Sequence, residues 1–327
     1  MKNNFLKLRA RYSLIKIKNL SFPGLELINI KSSASGPIIW LTAGIHGDEI
    51  SGSFIIKKFF QKLEKDNLLI KGAVYSLPRL NPFALKEKSR NIPISNEDLN
   101  RAFPGRKNGT IAEKIAAVVF SEIKKTRPTL ILDFHNDWQK SLSYVVLDPY
   151  PGKKHHKVYQ QAEGFARETG FLAIREKDEK LGISEMKKSL TGSLLLQGTA
   201  ALTLEFGDLG LEKNNIQKGI AAIFNILNYL KMIKPLKKNF IDDFPIFLQK
   251  KILKYSEEPV CSKKGIIKFF VKPGEIVKKN QLLAKIYSDP GQLKEILKAR
   301  NKNIILGLSD SRVASPGLAI ISSGTIK

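Results

Sequence analysis

The sequence predicts an α/β fold: a mainly parallel or mixed sheet flanked by helices, followed by a small all-β unit. Three observations carry this. Short apolar runs alternate with amphipathic stretches at helical spacing as far as residue 233. Three of those runs end in a histidine or a glutamate, and ligands gather beyond the carboxyl ends of strands in such sheets. After about residue 240 the texture changes to short β-rich runs split by Gly and Pro, which predicts a β barrel or sandwich.

Taken in order, "GPIIWLTAGI" (36–45) is apolar on both faces and reads as a buried strand with His46 just past its end. Ile50, Phe54, Ile55, Phe59 and Leu63 then recur on one helical face, with Lys57, Lys58 and Lys62 opposite. "GAVYSLPRLNP" (72–82) is a second strand entering a Pro-rich loop, and the stretch to residue 109 is polar and irregular. Thr110 and Glu113 form a capping-box signature ahead of a stripe of Ile111, Ile115, Val118 and Val119. "RPTLILDFHND" (127–137) is a strand ending in His135, and "TAALTLEFGD" (199–208) is another, ending in Glu205. "IQKGIAAIFNILNYLKMI" (216–233) is an amphipathic helix. The expected boundary separates residues 1–240 from a β domain at 241–327.

The 327-residue chain carries a formal charge of +25, and its basic residues are mostly lysine, spread along its length. Nucleic-acid binders gather such charge on one face, with arginine and stacking aromatics among it. A dispersed pattern reads instead as a solvated surface, although the field would also draw anions inward. Cys261 is the single cysteine, so an internal disulfide framework is excluded and a reducing compartment fits. The N-terminal residues lack the apolar block of a secretory signal, and no run approaches a membrane span. A cytoplasmic protein without membrane association is expected.

Hydrolysis by a zinc ion needs three protein ligands and an open position for water. His46-x-x-Glu49 offers two ligands from one turn after a strand, and His135 offers the third if the strand ends converge. His155 and His156 lie in a lysine-rich segment that would repel a dication and read as surface. Glu205, partly buried at a strand end, suits a base that is not itself a ligand. In "KSRNIPISNEDLNRAFPG" (88–105), Arg90, Asn100 and Arg101 offer donors for a carboxylate and an oxyanion. Asp98 can accept a hydrogen bond from the far nitrogen of a metal-bound histidine.

"GIHGDE", "NP" at 81–82, Arg90, "DLNRAFPG", "DFHN" and "LTLEFG", in this order, resemble the zinc carboxypeptidase superfamily. Within it they are most similar to the succinylglutamate desuccinylase/aspartoacylase branch. The resemblance implies one Zn2+ per chain held by His46, Glu49 and His135, with Asp98 orienting His46. It implies that Arg90 polarises the scissile carbonyl and that Asn100 and Arg101 grip a carboxylate. Glu205 would activate water and then protonate the leaving amine. Asn136 occupies a family position beside the third ligand. "GIIKFFVKPGEIVKKNQLLAKI" resembles half of a lipoyl barrel without its modified hairpin, so a structural or gating module is expected. The segment before Glu205, "LLLQGTAALTLE", lacks the arginine that aspartoacylases carry there, which argues against N-acetylaspartate.

The expected activity is hydrolysis of an amide bond in a small anionic, carboxylate-bearing N-acyl amino acid. A metallocarboxypeptidase acting on small or cell-wall peptides is the alternative. A basic nucleic-acid-binding protein on an inactive hydrolase fold is a weaker third reading, and homo-oligomer formation is left open.

Overall fold

The computed structural model describes residues 8–17, 24–177, 184–207, 213–289 and 291–326. An N-terminal hairpin, β1 (Arg11–Ile15) and β2 (Leu25–Lys31), precedes the buried strand β3 (Ile38–Ala43). Helix α1 (Ser51–Lys65) buries Ile55, Ile56, Phe59, Phe60 and Leu63. Phe54, read from spacing as inward, is instead exposed, and Ile56 and Phe60 complete the buried stripe. Strand β4 (Ala73–Leu77) leads to a short helix α2 (Pro82–Glu87) inside the stretch expected to be loop. The "NP" pair explains it: Asn81 accepts a hydrogen bond from Ala84 N as cap, and Pro82 opens the first turn. Helix α3 (Ile111–Lys125) starts at the expected Thr110–Glu113 capping box.

Strands β5 (Leu130–Asn136), β6 (Lys140–Ser141) and β7 (Tyr144–Leu147) come next. Helix α4 (His156–Glu168), strand β8 (Leu172–Arg175), helix α5 (Leu190–Leu196), strand β9 (Ala200–Phe206) and helix α6 (Lys213–Tyr229) follow. The remaining described chain is β: β10 (Ile252–Ser256), β11 (Gly265–Phe269), β12 (Ile276–Val277) and β13 (Leu282–Tyr287). It ends with β14 (Leu293–Lys298), β15 (Asn303–Leu308), β16 (Val313–Ala314) and β17 (Ile321–Thr325).

The strands form a mixed sheet in the order β1-β2-β4-β3-β5-β9-β7-β8, the mixed α/β arrangement that the sequence predicts. β4, β3, β5 and β9 run parallel, while β7 runs antiparallel to β9. The four parallel strands therefore deliver their carboxyl ends to one edge. Two apolar clusters flank the sheet, one built on Phe59, Phe134 and Phe206 and the other on Trp40, Ile115 and Ile131.

The sheet does not stop at the C-terminal unit. β10 pairs in parallel with β8, and the ladder continues through β17 and β15 to β12. A second sheet, β14-β13-β11-β16, packs over its own core, including Cys261, Val277 and Ile286. Leu172 and Ile174 pack with Leu253, Ile304 and Leu306, so the seam is apolar as well as hydrogen-bonded. No helix among the described residues is long and apolar enough to cross a membrane.

Candidate metal centre and active site

The turn after β3 depends on its glycines. Gly44 has φ +65°, which disfavours a side chain. A Cβ on Gly47 would lie 1.9 Å from the Ala84 carbonyl carbon, and one on Gly52 would lie 2.5 Å from Phe134 Cβ. With those atoms absent, α1 packs down on β3 and β5, and the "HGDE" turn closes against the end of β5.

His46, Glu49 and His135 meet there, all three buried, each offering a ligand atom within 4.8 Å of the others'. His46 Nδ1 lies 2.6 Å from Glu49 Oε1, and His135 Nδ1 lies 2.9 Å from Glu49 Oε2. Both far nitrogens face carboxylates: His46 Nε2 is 3.2 Å from Asp98 Oδ1, and His135 Nε2 is 2.9 Å from Asp133 Oδ2. Asp98 is thus where sequence reasoning expected it. Asp133 was missed, although it stands two residues before His135 on one strand face. Thr42 Oγ1 donates to its other oxygen at 2.7 Å.

Burial alone would raise the Glu49 carboxyl, but His135 and then His46 hold it well below the usual range. Burial opposes charge on His135 too, yet Asp133 and Glu49 push its pKa well up. Asp133 and Glu49 thus both favour the protonated His135 ring over the neutral one. Two Nδ1 atoms and a carboxylate, with both rings held from behind, form the nitrogen and oxygen donor set that suits Zn2+. The residues fit the ion that the sequence implied.

Arg90 reaches this centre, with Nη1 3.4 Å from His46 Nδ1 and 3.7 Å from Glu49 Oε1. Its Nη2 donates to Asp98 Oδ2 at 3.2 Å, and the side chain is half exposed. Asp98 also caps the turn Leu99–Arg101 by accepting from Asn100 N at 2.8 Å. That turn sets Asn100 and Arg101 on the cavity wall. Asn100 Oδ1 accepts from Leu190 N at 3.0 Å, and Arg101 Nη2 lies 2.9 Å from Glu185 Oε2. Asn136 stitches the floor: its N–H donates to Glu49, its Oδ1 accepts from Ser51, and its Nδ2 donates to the Phe206 carbonyl.

Glu205 pairs in register with His135 on the neighbouring strand and lines the same cavity of about 500 Å3. Burial pushes its carboxyl up to about 8, against the opposing charge of His135. Its Oε2 is buried without a hydrogen-bond partner, a costly state unless something else occupies the space before it. His155 and His156 lie outside this cavity, as the sequence suggested.

These features define a carboxypeptidase-like fold with a buried His-Glu-His cluster able to hold a metal ion. Residues 35–230 match the model of the succinylglutamate desuccinylase/aspartoacylase catalytic domain, and the chain belongs to that family of N-acyl amino acid deacylases. A stretch of 109 residues is 31% identical to N-alpha-acetyl-L-2,4-diaminobutyric acid deacetylase of Halomonas elongata, covering 33% of this chain and 31% of that protein. A succinylglutamate desuccinylase from Silicibacter superposes with a TM-score of 0.77 at 16% identity, over 97% of this chain and 95% of that one. The ectoine utilization protein EutE of Ruegeria pomeroyi does so at 0.77 and 19%, over 97% and 95%. A metallo-carboxypeptidase from Burkholderia cenocepacia shares the fold more distantly, with a TM-score of 0.53 at 14% identity, over 68% of this chain and 64% of that one.

Proposed function

We propose that the chain is a zinc-dependent deacylase that hydrolyses the amide bond of an N-acyl amino acid. The observation that carries this is the meeting of His46, Glu49 and His135 beside the unpartnered Oε2 of Glu205. When bound, Zn2+ would lower the pKa of water and polarise the scissile carbonyl. His46 and His135 present Nδ1, with Asp98 and Asp133 fixing each ring's tautomer from behind. Glu205, with a carboxyl poised near neutrality, takes a proton from water at one oxygen and later returns it to the leaving amine nitrogen. Arg90 directs its guanidinium at the oxyanion that develops on the carbonyl. Asn100 and Arg101 hold the carboxylate of the amino-acid part, which fixes the amide against Glu205. The similarity to a deacetylase of an N-acetylated amino acid supports this substrate class.

The test is turnover of an N-acyl amino acid panel by protein of known zinc content, with and without a chelator. Chelator-sensitive release of acid is expected. Faster release of amino acids from dipeptides than from acyl amino acids would replace this reading with a peptidase.

A further inference from the structure

Resting on the deacylase reading, we propose that Asp310 is a positioning residue for substrate binding. It acts through Trp138, which lines the cavity, and it lies outside the matched catalytic domain.

The path of the chain beyond His135 carries this. β5 brings His135 into the site, and just past its end Asp137 N donates to the Phe206 carbonyl at 3.0 Å. Beyond that bond the backbone leaves the sheet, while Asp137 and Trp138 still line the cavity. The C-terminal unit catches the chain again. β6 pairs with β15, with Lys140 level with Leu308 and Ser141 level with Gly307, and Leu142 N donates to the Leu306 carbonyl at 2.8 Å. Between these two anchors, Gln139 N donates to both carboxylate oxygens of Asp310, at 2.9 and 3.2 Å. A carboxylate of the C-terminal unit thus holds the backbone one residue beyond Trp138.

The ends of the segment are fixed by other means. A Cβ on Gly207 would lie 2.2 Å from the Ser141 carbonyl oxygen, and one on Gly307 would lie 3.2 Å from Asp137 Oδ2. The bare glycines let the neighbouring strands close on the segment from both sides. Asp137 Oδ2 accepts from the Ser141 and Tyr144 hydroxyls, each at 2.8 Å, which ties the start of the segment to its end. Asp310 supplies the tie in the middle, and an amide bonded to a charged carboxylate is stronger than a neutral pair.

The reacting groups do not share this dependence. His135 stands level with Glu205 in the β5–β9 ladder, and β5 is paired with β3 on its other side. Asp310 and Gln139 are both exposed, so water can replace the lost carboxylate and no cavity opens in the core. Removing Asp310 therefore loosens the Trp138 wall and leaves the ligand cluster and Glu205 in place. Weaker substrate binding at unchanged turnover is the expected signature.

The experiment measures kcat and KM of the zinc-loaded full chain on an N-acyl amino acid that the parent turns over. Asp310→Ala should raise KM roughly tenfold, with kcat within about twofold of the parent. Asp310→Asn keeps an oxygen for Gln139 N and should recover most of the parent's KM. In a Trp138→Ala background, Asp310→Ala should change KM by less than about twofold, since both changes act on one wall. Tryptophan fluorescence gives a readout without turnover, because the chain's two tryptophans are Trp138 and Trp40, the latter buried in the core. Acrylamide should quench Asp310→Ala more strongly than the parent, and the difference should vanish when both carry Trp138→Phe. If the parent hydrolyses no acyl amino acid, the deacylase reading falls and the quenching still decides whether Asp310 holds Trp138. Unchanged KM or unchanged quenching overturns the proposal, and so does a loss confined to kcat. An Asn variant no better than the Ala variant, or loss of cooperative melting in either, overturns it as well.

Discussion

Asp148→Asn is expected to stabilise the ligand-free protein above neutral pH. The Asp148 carboxyl sits at about 7 in the fold against 3.8 unfolded, so the unfolded chain releases its proton first as pH rises. The folded state loses stability across that window, from about pH 4 to about pH 7, and the loss is complete above it. Three units at about 1.4 kcal/mol each give about 4 kcal/mol as an upper bound. Asp148 keeps some solvent contact, which screens it, so about 2 kcal/mol is the working figure. An isosteric amide removes that penalty and still accepts from Thr191. At roughly 2–4 °C per kcal/mol, the variant should melt roughly 4–8 °C above the parent at pH 8. The gain should shrink through pH 5 and vanish near pH 4. Thermal melts of both proteins at matched pH values measure the difference and cancel every other titrating group. A gain that is absent at pH 8, or as large at pH 4 as at pH 8, would refute the idea of an uncompensated buried carboxylate.

Three further outcomes are expected. Glu205→Gln should cut kcat by roughly 10²–10⁴-fold while elemental analysis still finds one zinc per chain, and metal loss instead would make Glu205 a ligand. Asp133→Asn should weaken zinc binding by roughly 10–100-fold in competition with a chelator, and unchanged affinity would remove it from behind His135. Zinc binding near pH 7 should release about one proton, because the raised pKa of His135 leaves it protonated beforehand. Calorimetry in buffers of different ionisation enthalpy counts that proton, and zinc affinity should rise with pH.

The grouping of the candidate site's side chains was legible in the sequence because they sit where local pattern is strong. His46 and Glu49 share one glycine-bounded turn, His135 and Glu205 end apolar strands, and Asp98 opens a short turn. Asp133 was hidden by context: an aspartate within "LILDFHN" is read as part of a buried strand before its period-two relation to His135 is noticed. Phe54 misled because hydrophobicity at helical spacing does not say where the buried face ends. The edge hairpin of β1 and β2 gave no signal, since the β1 side chains are mostly exposed and carry little apolar alternation. The carboxylates on the far wall of the cavity could not be read at all. Asp148, Glu176 and Glu257 are far apart in the chain, and only the pairing of β7, β8 and β10 sets them side by side.

The β8–β10 seam has a bearing on how relatives of this protein can diverge. A graft or truncation near residue 250 would strip one side of the cavity and leave β8 as a bare strand, open to intermolecular pairing. The C-terminal unit therefore shapes the cavity from outside the cluster of His46, Glu49 and His135, and the sheet cannot lose it without baring a strand edge.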